Sequence, residues 1–230
     1  MLMRTYENLN ASNEALVKGA LKQLADQKTS VCDYRSAFAT LGKELGKIVA
    51  ERIGNIVSEE IMLVCASVDA DWLAKGVVEG LNKGNIPISV FWSTREVLYE
   101  DGSEKLEVTP ITKSYEEPID KCRILIIVKS IISSSCVVKT QLTRLIGKMN
   151  PEKIEILAPV MYKDGKPNLI KEFPDDISAK FNFITFAVDD SRDDSGSIVP
   201  GVGGMVYPRL GLGDIDQKNS YIPDMVLERI

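Results

Sequence analysis

Small hydroxyl side chains lie between an apolar run and a helical pattern in the middle of the sequence. The run Arg123–Val128 is followed by Lys129-Ser-Ile-Ile-Ser-Ser-Ser-Cys136, and helical periodicity begins near Ser135. Hydroxyls and free backbone N–H groups at the start of a helix bind anions, so this loop is a candidate anion cradle. The glycine and lysine spacing of a nucleotide P-loop is absent. The alternative is that the serines only cap the helix.

An acidic run and a glycine-dense turn follow the last apolar run of the chain. The acidic run spans Asp189–Asp194, and Gly196–Gly204 reads Gly-Ser-Ile-Val-Pro-Gly-Val-Gly-Gly. Glycines let backbone amides and carbonyls approach a planar ligand closely. The alternative interpretation is an exposed acidic loop followed by an irregular connection. A third candidate loop, Ser67–Asp71, follows the apolar run Ile61–Ala66.

The composition excludes several kinds of chemistry. The 230 residues include no histidine, which rules out Ser-His-Asp hydrolases, His-ligated metal sites and imidazole proton shuttles. The four cysteines are too scattered for a thiolate metal site or a redox pair, so we expect reduced thiols and no metal site. The net charge of -5 lacks the basic footprint of a nucleic-acid binder. Met1–Asn13 does not resemble a signal peptide, and no membrane span is expected, so we predict a cytoplasmic protein.

The loops above need a sheet to position them, and the hydrophobic pattern predicts one. Short runs that are apolar on both faces alternate with amphipathic helices, which is typical of a parallel sheet between helices. We therefore expect an α/β fold with a central, mainly parallel sheet flanked by helices. The predicted strands are Ile61–Ala66, Ile88–Trp92, Arg123–Val128, Glu155–Met161 and Phe183–Val188. The helices predicted among them are Ala70–Asn82 and Ser135–Met149.

Two further segments complete a single predicted domain over residues 1–230. Residues 1–55 contain two helical patterns, the second starting at a cap on Asp33, and its Gly42 and Gly46 favour close approach of another backbone. Residues 95–112 alternate around Asp101-Gly102, which predicts a projecting β-hairpin. Elements that project near strand ends often act as lids.

Several stretches resemble the uracil phosphoribosyltransferases. Phe183–Asp190 (FITFAVDD) together with 196–203 (GSIVPGVG) is similar to that family's uracil-binding segment, and Arg123–Val128 is similar to the strand before its phosphoribosyl-pyrophosphate loop. Thr29–Leu45 and 94–96 resemble an early helix and the entry to the flexible hairpin. The resemblance covers about residues 29–205 and implies a type I phosphoribosyltransferase fold with residues 182–230 as the nucleobase-hood segment and tail.

The resemblance also assigns ligand-binding residues. The phosphate or anion would be bound by Arg95, Lys129, Ser130, Ser133, Ser134 and Ser135. The nucleobase would be bound by Ile198, Gly203, Gly204 and Met205. Members of the family use Mg²⁺ and are commonly oligomeric, so a homo-oligomer is an expectation here, and Mg²⁺ is expected only if the protein is active.

The departures from the family concern the groups that carry out phosphoribosyl transfer. Lys129 replaces the carboxylate at the head of the loop, Ser135 and Cys136 replace its glycines, and Val68-Asp69 replaces an arginine-containing pair. Lys129 would repel Mg²⁺, and Asp69 would repel the departing pyrophosphate. The side chains of Ser135 and Cys136 would stand where the backbone should wrap around a phosphate. We therefore expect a binding, regulatory or assembly protein without transfer activity, whose candidate ligands are a phosphorylated sugar, a nucleotide or a pyrimidine.

Two alternatives remain at this point. One is an enzyme of altered specificity, transferring phosphoribosyl to or from a pyrimidine-like base, in which Lys129 substitutes for the metal and a phosphorylated ligand lies over 133–135. The alternative to this role is that Lys129 is only a solvated lysine at a strand end. The other is a conventional uracil phosphoribosyltransferase with an unusual loop. The tail beyond Arg209 either packs on its own domain or contacts another subunit or a partner protein.

Overall fold

The computed structural model describes residues 4–94, 96–99, 105–134 and 136–230. The strands are β1 (Arg4–Tyr6), β2 (Ile61–Ala66), β3 (Ile88–Ser93), β4 (Glu96–Tyr99), β5 (Lys105–Val108), β6 (Ile111–Glu116), β7 (Ile124–Val128), β8 (Ile131–Ile132), β9 (Lys153–Tyr162), β10 (Phe181–Asp189), β11 (Ser191–Arg192) and β12 (Ile198–Val199). The helices are α1 (Glu14–Ala25), α2 (Val31–Ile53), α3 (Ser67–Asp69), α4 (Lys75–Leu81), α5 (Cys136–Met149), α6 (Gly165–Lys171), α7 (Asp175–Ser178), α8 (Val206–Arg209), α9 (Ile215–Ser220) and α10 (Asp224–Leu227). A 3-10 turn spans Ser58–Glu60, and a π-helical segment, Ala70–Ala74, joins α3 to α4.

Within the described residues, the strands form a central sheet in the order β1-β10-β9-β7-β2-β3-β6, with β8 pairing β9. The inner strands run parallel, and β1 and β6 are antiparallel to their neighbours at the two edges. The α/β class and the five predicted strands are confirmed. The pattern does not predict β1, β6 or β8, because short edge strands lack a continuous apolar run.

Each face of the sheet has its own hydrophobic core, because successive side chains of a strand point to opposite faces. Leu63 and Ile126 lie on the face covered by α1, α2 and α4. Met62 and Leu125 lie on the other face, with α5. Burial on both faces explains why β2 and β7 are apolar at every position.

Helices α2 and α4 approach so closely that four glycines interlock. A Cβ added at Gly42 or Gly46 would clash with the backbone of Leu73 or Val77, and one added at Gly80 would lie 2.9 Å from the Cα of Gly46. A Cβ added at Gly76 would lie 2.4 Å from the carbonyl oxygen of Ala39. The prediction that Gly42 and Gly46 admit another backbone is confirmed.

The N-terminal cap of α2 differs from the prediction. Ser30, rather than Asp33, is the capping residue, and its Oγ accepts a hydrogen bond of 3.1 Å from the backbone N–H of Asp33. Helix α2 therefore begins at Val31, because a serine in extended conformation can present its hydroxyl to the free N–H groups of the first turn. The first of the two helical patterns predicts a helix from about Glu14 to Gln27, and α1 spans Glu14–Ala25.

The hairpin strands β4 and β5 pair antiparallel, as predicted. The Asp101-Gly102 turn and Arg95 lie outside the described residues. Thr94 and Thr109, which flank the hairpin, both line the cavity described below. The hairpin thus leaves and rejoins the sheet at this cavity.

The tail packs against its own domain. Met225 and Val226 are buried, whereas Ile222 and Ile230 remain 50% and 82% exposed. We call residues 214–230 the C-terminal strap. In the described part of the chain, no helix has the length and apolar character needed to cross a membrane.

Candidate functional site

A cavity of about 350 Å³ lies at the carboxyl ends of β2, β3 and β7. Its wall combines apolar and hydroxyl side chains with two lysines. The hydroxyl-bearing residues are Ser67, Ser93, Thr94, Thr109, Ser130, Ser133, Ser134 and Tyr207. The apolar residues are Ala66, Val68, Phe91, Ile131, Val137, Val138, Met205, Val206 and Ile215, and the lysines are Lys129 and Lys218. A cavity of this size and mixed polarity suits a small organic ligand.

Asp69 and Lys129 form an ion pair beside this cavity. Lys129 Nζ lies 2.8 Å from Asp69 Oδ2 and 2.9 Å from Ser130 Oγ, and the backbone N–H of Ser130 donates to Asp69 Oδ1 at 3.1 Å. The Asp69 side chain is 1% exposed and that of Lys129 is 14% exposed. The two residues meet because β2 and β7 are neighbouring parallel strands, with Cys65 opposite Val128.

This pair changes the electrostatic argument drawn from the sequence. From the sequence alone, Lys129 is expected to repel a metal and Asp69 to repel a departing pyrophosphate. In the structure each charge compensates the other, and the pair joins the loops after β2 and β7. Lys129 is also not a solvated lysine at a strand end, since its side chain is mostly buried.

The donor set at this position does not fit Mg²⁺. Both oxygens of Asp69 already accept hydrogen bonds from Lys129 and Ser130, and no carboxylate among the described residues lines the cavity itself. In the described ranges, no group of three or more cysteine, aspartate and glutamate side chains is arranged to hold a metal ion.

The predicted anion cradle is divided in two. Ile131 and Ile132 form β8, which pairs with Val160 and Met161 of β9, so the chain does not wrap continuously from Lys129 to α5. Ser130 is 1% exposed, whereas Ser133 and Ser134 are half-buried. All three still line the cavity. Ser135 lies outside the described residues, and α5 begins at Cys136.

Lys218 is a cavity residue that the sequence analysis does not identify. It belongs to α9 in the C-terminal strap, and its Nζ donates to the backbone carbonyl of Ser93 at 2.6 Å and to Asn219 Oδ1 at 3.0 Å. Burial, reinforced by the positive charge of Lys129, lowers the pKa of Lys218, while Asp69 acts in the opposite direction. No local motif marks this lysine, since only long-range packing brings it to the sheet.

Polar contacts at three of its residues attach the strap to the segments beside the cavity. Trp92 Nε1 donates to the carbonyl of Tyr221 at 2.7 Å. The Asp71 carboxylate accepts hydrogen bonds from the backbone N–H groups of Asp224 and Met225 at 3.0 and 2.8 Å, and from the Tyr221 hydroxyl. The Tyr221 ring also stacks on Trp72. Since Ile215 and Lys218 of the strap line the cavity, the strap forms one wall of the site.

Three of the four predicted nucleobase residues line a second cavity of about 440 Å³. Ile198, Gly204 and Met205 line it together with Ser133 and Ser134. Met205, 65% exposed, lines both cavities. The structure thus brings the two sets of predicted residues to adjoining spaces.

Gly203 lies on the far side of this segment. A Cβ at Gly203 would clash with Arg209 and with the carbonyl of Leu24. Arg209 donates to the carbonyls of Leu24 and Val202 and stacks over the Tyr34 ring. The Tyr34 hydroxyl donates to the same Val202 carbonyl at 2.9 Å. These contacts fix the glycine-rich segment to α1 and α2.

Two arginines absent from the predictions hold the neighbouring loop. Arg4 forms a two-point ion pair of 2.7 Å with the fully buried Asp189, which also accepts from the backbone N–H of Gly201. Arg192 donates to the carbonyls of Ser133 and Gly196, both at 2.6 Å. Part of the acidic run is therefore a structural clamp, which neither sequence interpretation of that loop anticipates.

Comparisons with known proteins bear on the fold. No protein-family model matches the chain, and no curated protein matches it. Among solved structures, the chain is similar to the AQ2163 protein from Aquifex aeolicus, with 17% identity and a TM-score of 0.63, over 90% of this chain and 97% of that one. This likeness shows a shared α/β fold.

Phosphoribosyltransferases are also among the similar structures, at lower scores. A hypoxanthine phosphoribosyltransferase from Staphylococcus aureus has 15% identity and a TM-score of 0.41, over 56% of this chain and 65% of that one. The hypoxanthine-guanine phosphoribosyl transferase of L. donovani has 12% identity and a TM-score of 0.42, over 66% and 79%.

Proposed function

We propose that this chain is a phosphoribosyltransferase-related protein that binds a small phosphorylated ligand and does not transfer phosphoribosyl groups. The resemblance of its sequence to uracil phosphoribosyltransferases supports the relationship. The cavity at the carboxyl ends of β2, β3 and β7 supports the binding role, since ligands of open α/β sheets bind at this edge.

The main support for the absence of phosphoribosyl transfer activity is the Asp69–Lys129 ion pair. Phosphoribosyl transfer requires cations and donors placed where charge develops on the departing pyrophosphate. Here the mostly buried ammonium of Lys129 is engaged by a carboxylate 2.8 Å away. Removing a buried charge from its partner costs about 3–5 kcal/mol, so a pyrophosphate or a metal would compete with an established internal contact.

The proposed ligands are a phosphorylated sugar, a nucleotide or a pyrimidine. The hydroxyl groups of Ser67, Ser133 and Ser134 suit a phosphate or a sugar. The apolar wall and the adjoining segment with Ile198, Gly204 and Met205 suit a flat base.

We also propose that the protein acts as an oligomer or with a partner protein in a regulatory or assembly role. Ile222, Leu227 and Ile230 expose large apolar side chains at the end of the strap, and such groups are commonly covered in assemblies. Light scattering at micromolar concentration tests the oligomer, and a monomer would contradict self-association.

Two measurements test the binding role and the loss of transfer together. Calorimetry with ribose 5-phosphate, phosphoribosyl pyrophosphate and UMP should detect binding of at least one of them, and uracil with phosphoribosyl pyrophosphate and Mg²⁺ should yield no UMP. UMP formation that falls in Lys129→Met would overturn the loss of activity and support the altered enzyme. Lys153→Met, exposed at the opposite end of the sheet, is the matched control. No binding of any of the three would overturn the binding role.

A further inference from the structure

The charges on the cavity wall are not balanced. The wall carries the ammonium groups of Lys129 and Lys218, and no carboxylate-bearing residue among those described lines it. Asp69, placed behind the wall, pairs with Lys129 at 2.8 Å. Among the described residues, Lys218 therefore has no counter-charge on the cavity wall.

The surroundings of Lys218 are polar but neutral. Its Nζ contacts the carbonyl of Ser93 and the side-chain oxygen of Asn219, and within the described ranges no carboxylate lies within ion-pair distance of it. The side chain is half-buried. A partly buried ammonium loses hydration without gaining a charged partner, which favours binding of an anion from outside the chain.

The geometry leaves Lys218 able to donate to such an anion. An ammonium group has three N–H donors, and Ser93 and Asn219 take two of them. The remaining donor belongs to a side chain that lines the cavity. Lys129 is less suited to this role, because Asp69 already compensates its charge.

We infer that Lys218 is the anion-binding residue of this cavity, so that the C-terminal strap supplies the charge that selects a phosphate- or carboxylate-bearing ligand. The inference rests on the proposed function and replaces Lys129, the residue that the family resemblance suggests. The anionic group of the ligand lies beside α9, and its body lies against Val68, Phe91 and Val206.

Ligand binding is then coupled to the strap. The strap is held at the rim by Asp71 and Trp92, and an anion on Lys218 adds a contact between strap and sheet. A ligand that binds only while the strap is docked stabilises the docked strap by mass action.

The test measures ribose 5-phosphate affinity by calorimetry in the full chain and in three variants. We expect Lys218→Met to weaken binding about 10- to 100-fold, since hydrogen bonds to charged groups are of that strength. Lys218→Arg keeps the charge and should bind more tightly than Lys218→Met. Lys75→Met is the matched control, because Lys75 contacts the strap at Glu228 but does not line the cavity; its affinity should equal that of wild type.

A second measurement needs no variant. Ribose 5-phosphate should protect Lys218, but not Lys75, from acetylation by acetic anhydride, read by mass spectrometry. Wild-type binding with unchanged affinity in Lys218→Met, or binding without protection of Lys218, overturns this inference and leaves the proposed function standing. Failure of the wild type to bind ribose 5-phosphate, phosphoribosyl pyrophosphate and UMP overturns both.

Discussion

At the scale of single residues, the Asp69–Lys129 pair shows how two buried opposite charges can be stable together. An isolated buried carboxylate or ammonium costs several kcal/mol, and here each one satisfies the other across neighbouring strand ends. Viewed one at a time, both positions look unsuited to a ligand loop. Together, they satisfy each other through contacts within the protein.

We expect Asp69→Asn and Lys129→Met each to destabilise the protein by about 3 kcal/mol or more, because each leaves a buried charge unpaired. The double variant should lose less stability than the sum of the losses in the two single variants. Urea unfolding of the four proteins measures this coupling. Strictly additive losses would show that the two charges do not depend on each other.

Glu155 offers a pH test at a different position. Its side chain is 3% exposed, its nearest cation is Arg52 at 3.9 Å, and its Oε2 has no hydrogen-bond partner among the described residues. Burial raises the pKa of Glu155, which Arg52 and Lys153 only partly offset. The folded state therefore binds this proton more tightly than the unfolded state, where the pKa is about 4.3.

The contribution of Glu155 to stability is thus fully present below about pH 4.3 and is lost as pH rises through the folded-state pKa. We expect Glu155→Gln to gain stability relative to wild type as pH rises from 4 to 7. Thermal unfolding across this range measures the difference. Glu51→Gln, exposed on α2, is the control, and a Glu155→Gln difference that does not change with pH would contradict the assignment.

At the scale of elements, burial decides how far the sequence predicts the fold. Strands β2 and β7 are covered on both faces, so their uninterrupted apolar runs mark them, and β2 has its predicted ends at Ile61 and Ala66. Edge strand β6 has exposed and half-buried positions and no such run. The strap is held by contacts such as Tyr221 to Asp71, which are 150 residues apart, so no local pattern predicts its position.

The interlocked glycines of α2 and α4 give a prediction with an internal control. In Gly80→Ala the added methyl would meet the carbonyl of Lys43 and the Cα of Gly46, so we expect severe destabilisation or failure to fold. In Gly147→Ala, on α5, nothing lies within 4 Å, and alanine should stabilise the helix by about 1 kcal/mol. Chemical unfolding compares the two. Equal effects would mean that α2 and α4 are not in contact at these positions.

The anchoring of the strap by Asp71 gives a second prediction at this scale. Both carboxylate oxygens accept hydrogen bonds from the strap. In Asp71→Asn one oxygen becomes an NH₂ group that cannot accept the N–H it faces. Hydrogen exchange should therefore quicken in residues 215–227 and stay unchanged in β2. Asp176→Asn, exposed on α7, is the control, and unchanged exchange in the strap would contradict this role of Asp71.

At the scale of the whole molecule, the sheet brings together a site whose parts are distant in sequence. A parallel sheet gathers the loops that follow its strands at one edge. Asp69 and Lys129 belong to two of these candidate loops, and they lie close together because β2 and β7 are neighbours. The parallel order does not predict that they pair with each other. Lys218 reaches the same cavity from the C-terminal strap, and only the packing of the tail determines that.

The two faces of the sheet also allow a test of the predicted single domain. Cys65 is buried in the core on one face and Cys122 in the core on the other. Burial raises the pKa of both thiols, to about 11 for Cys122 and well above its ordinary value for Cys65. Since the thiolate is the reactive form, neither should react in the folded protein, whereas the exposed Cys32 should react at once.

If residues 1–230 unfold as one unit, Cys65 and Cys122 should become reactive with the same free energy and the same dependence on urea. Pulsed thiol labelling with mass spectrometry measures each cysteine separately, with Cys32 as the internal standard for the reagent. Labelling of Cys122 at low urea while Cys65 stays protected would show that the α5 face opens independently. In that case the two faces of the sheet would be separate cooperative units, and the cavity at their shared edge would depend on the stability of both.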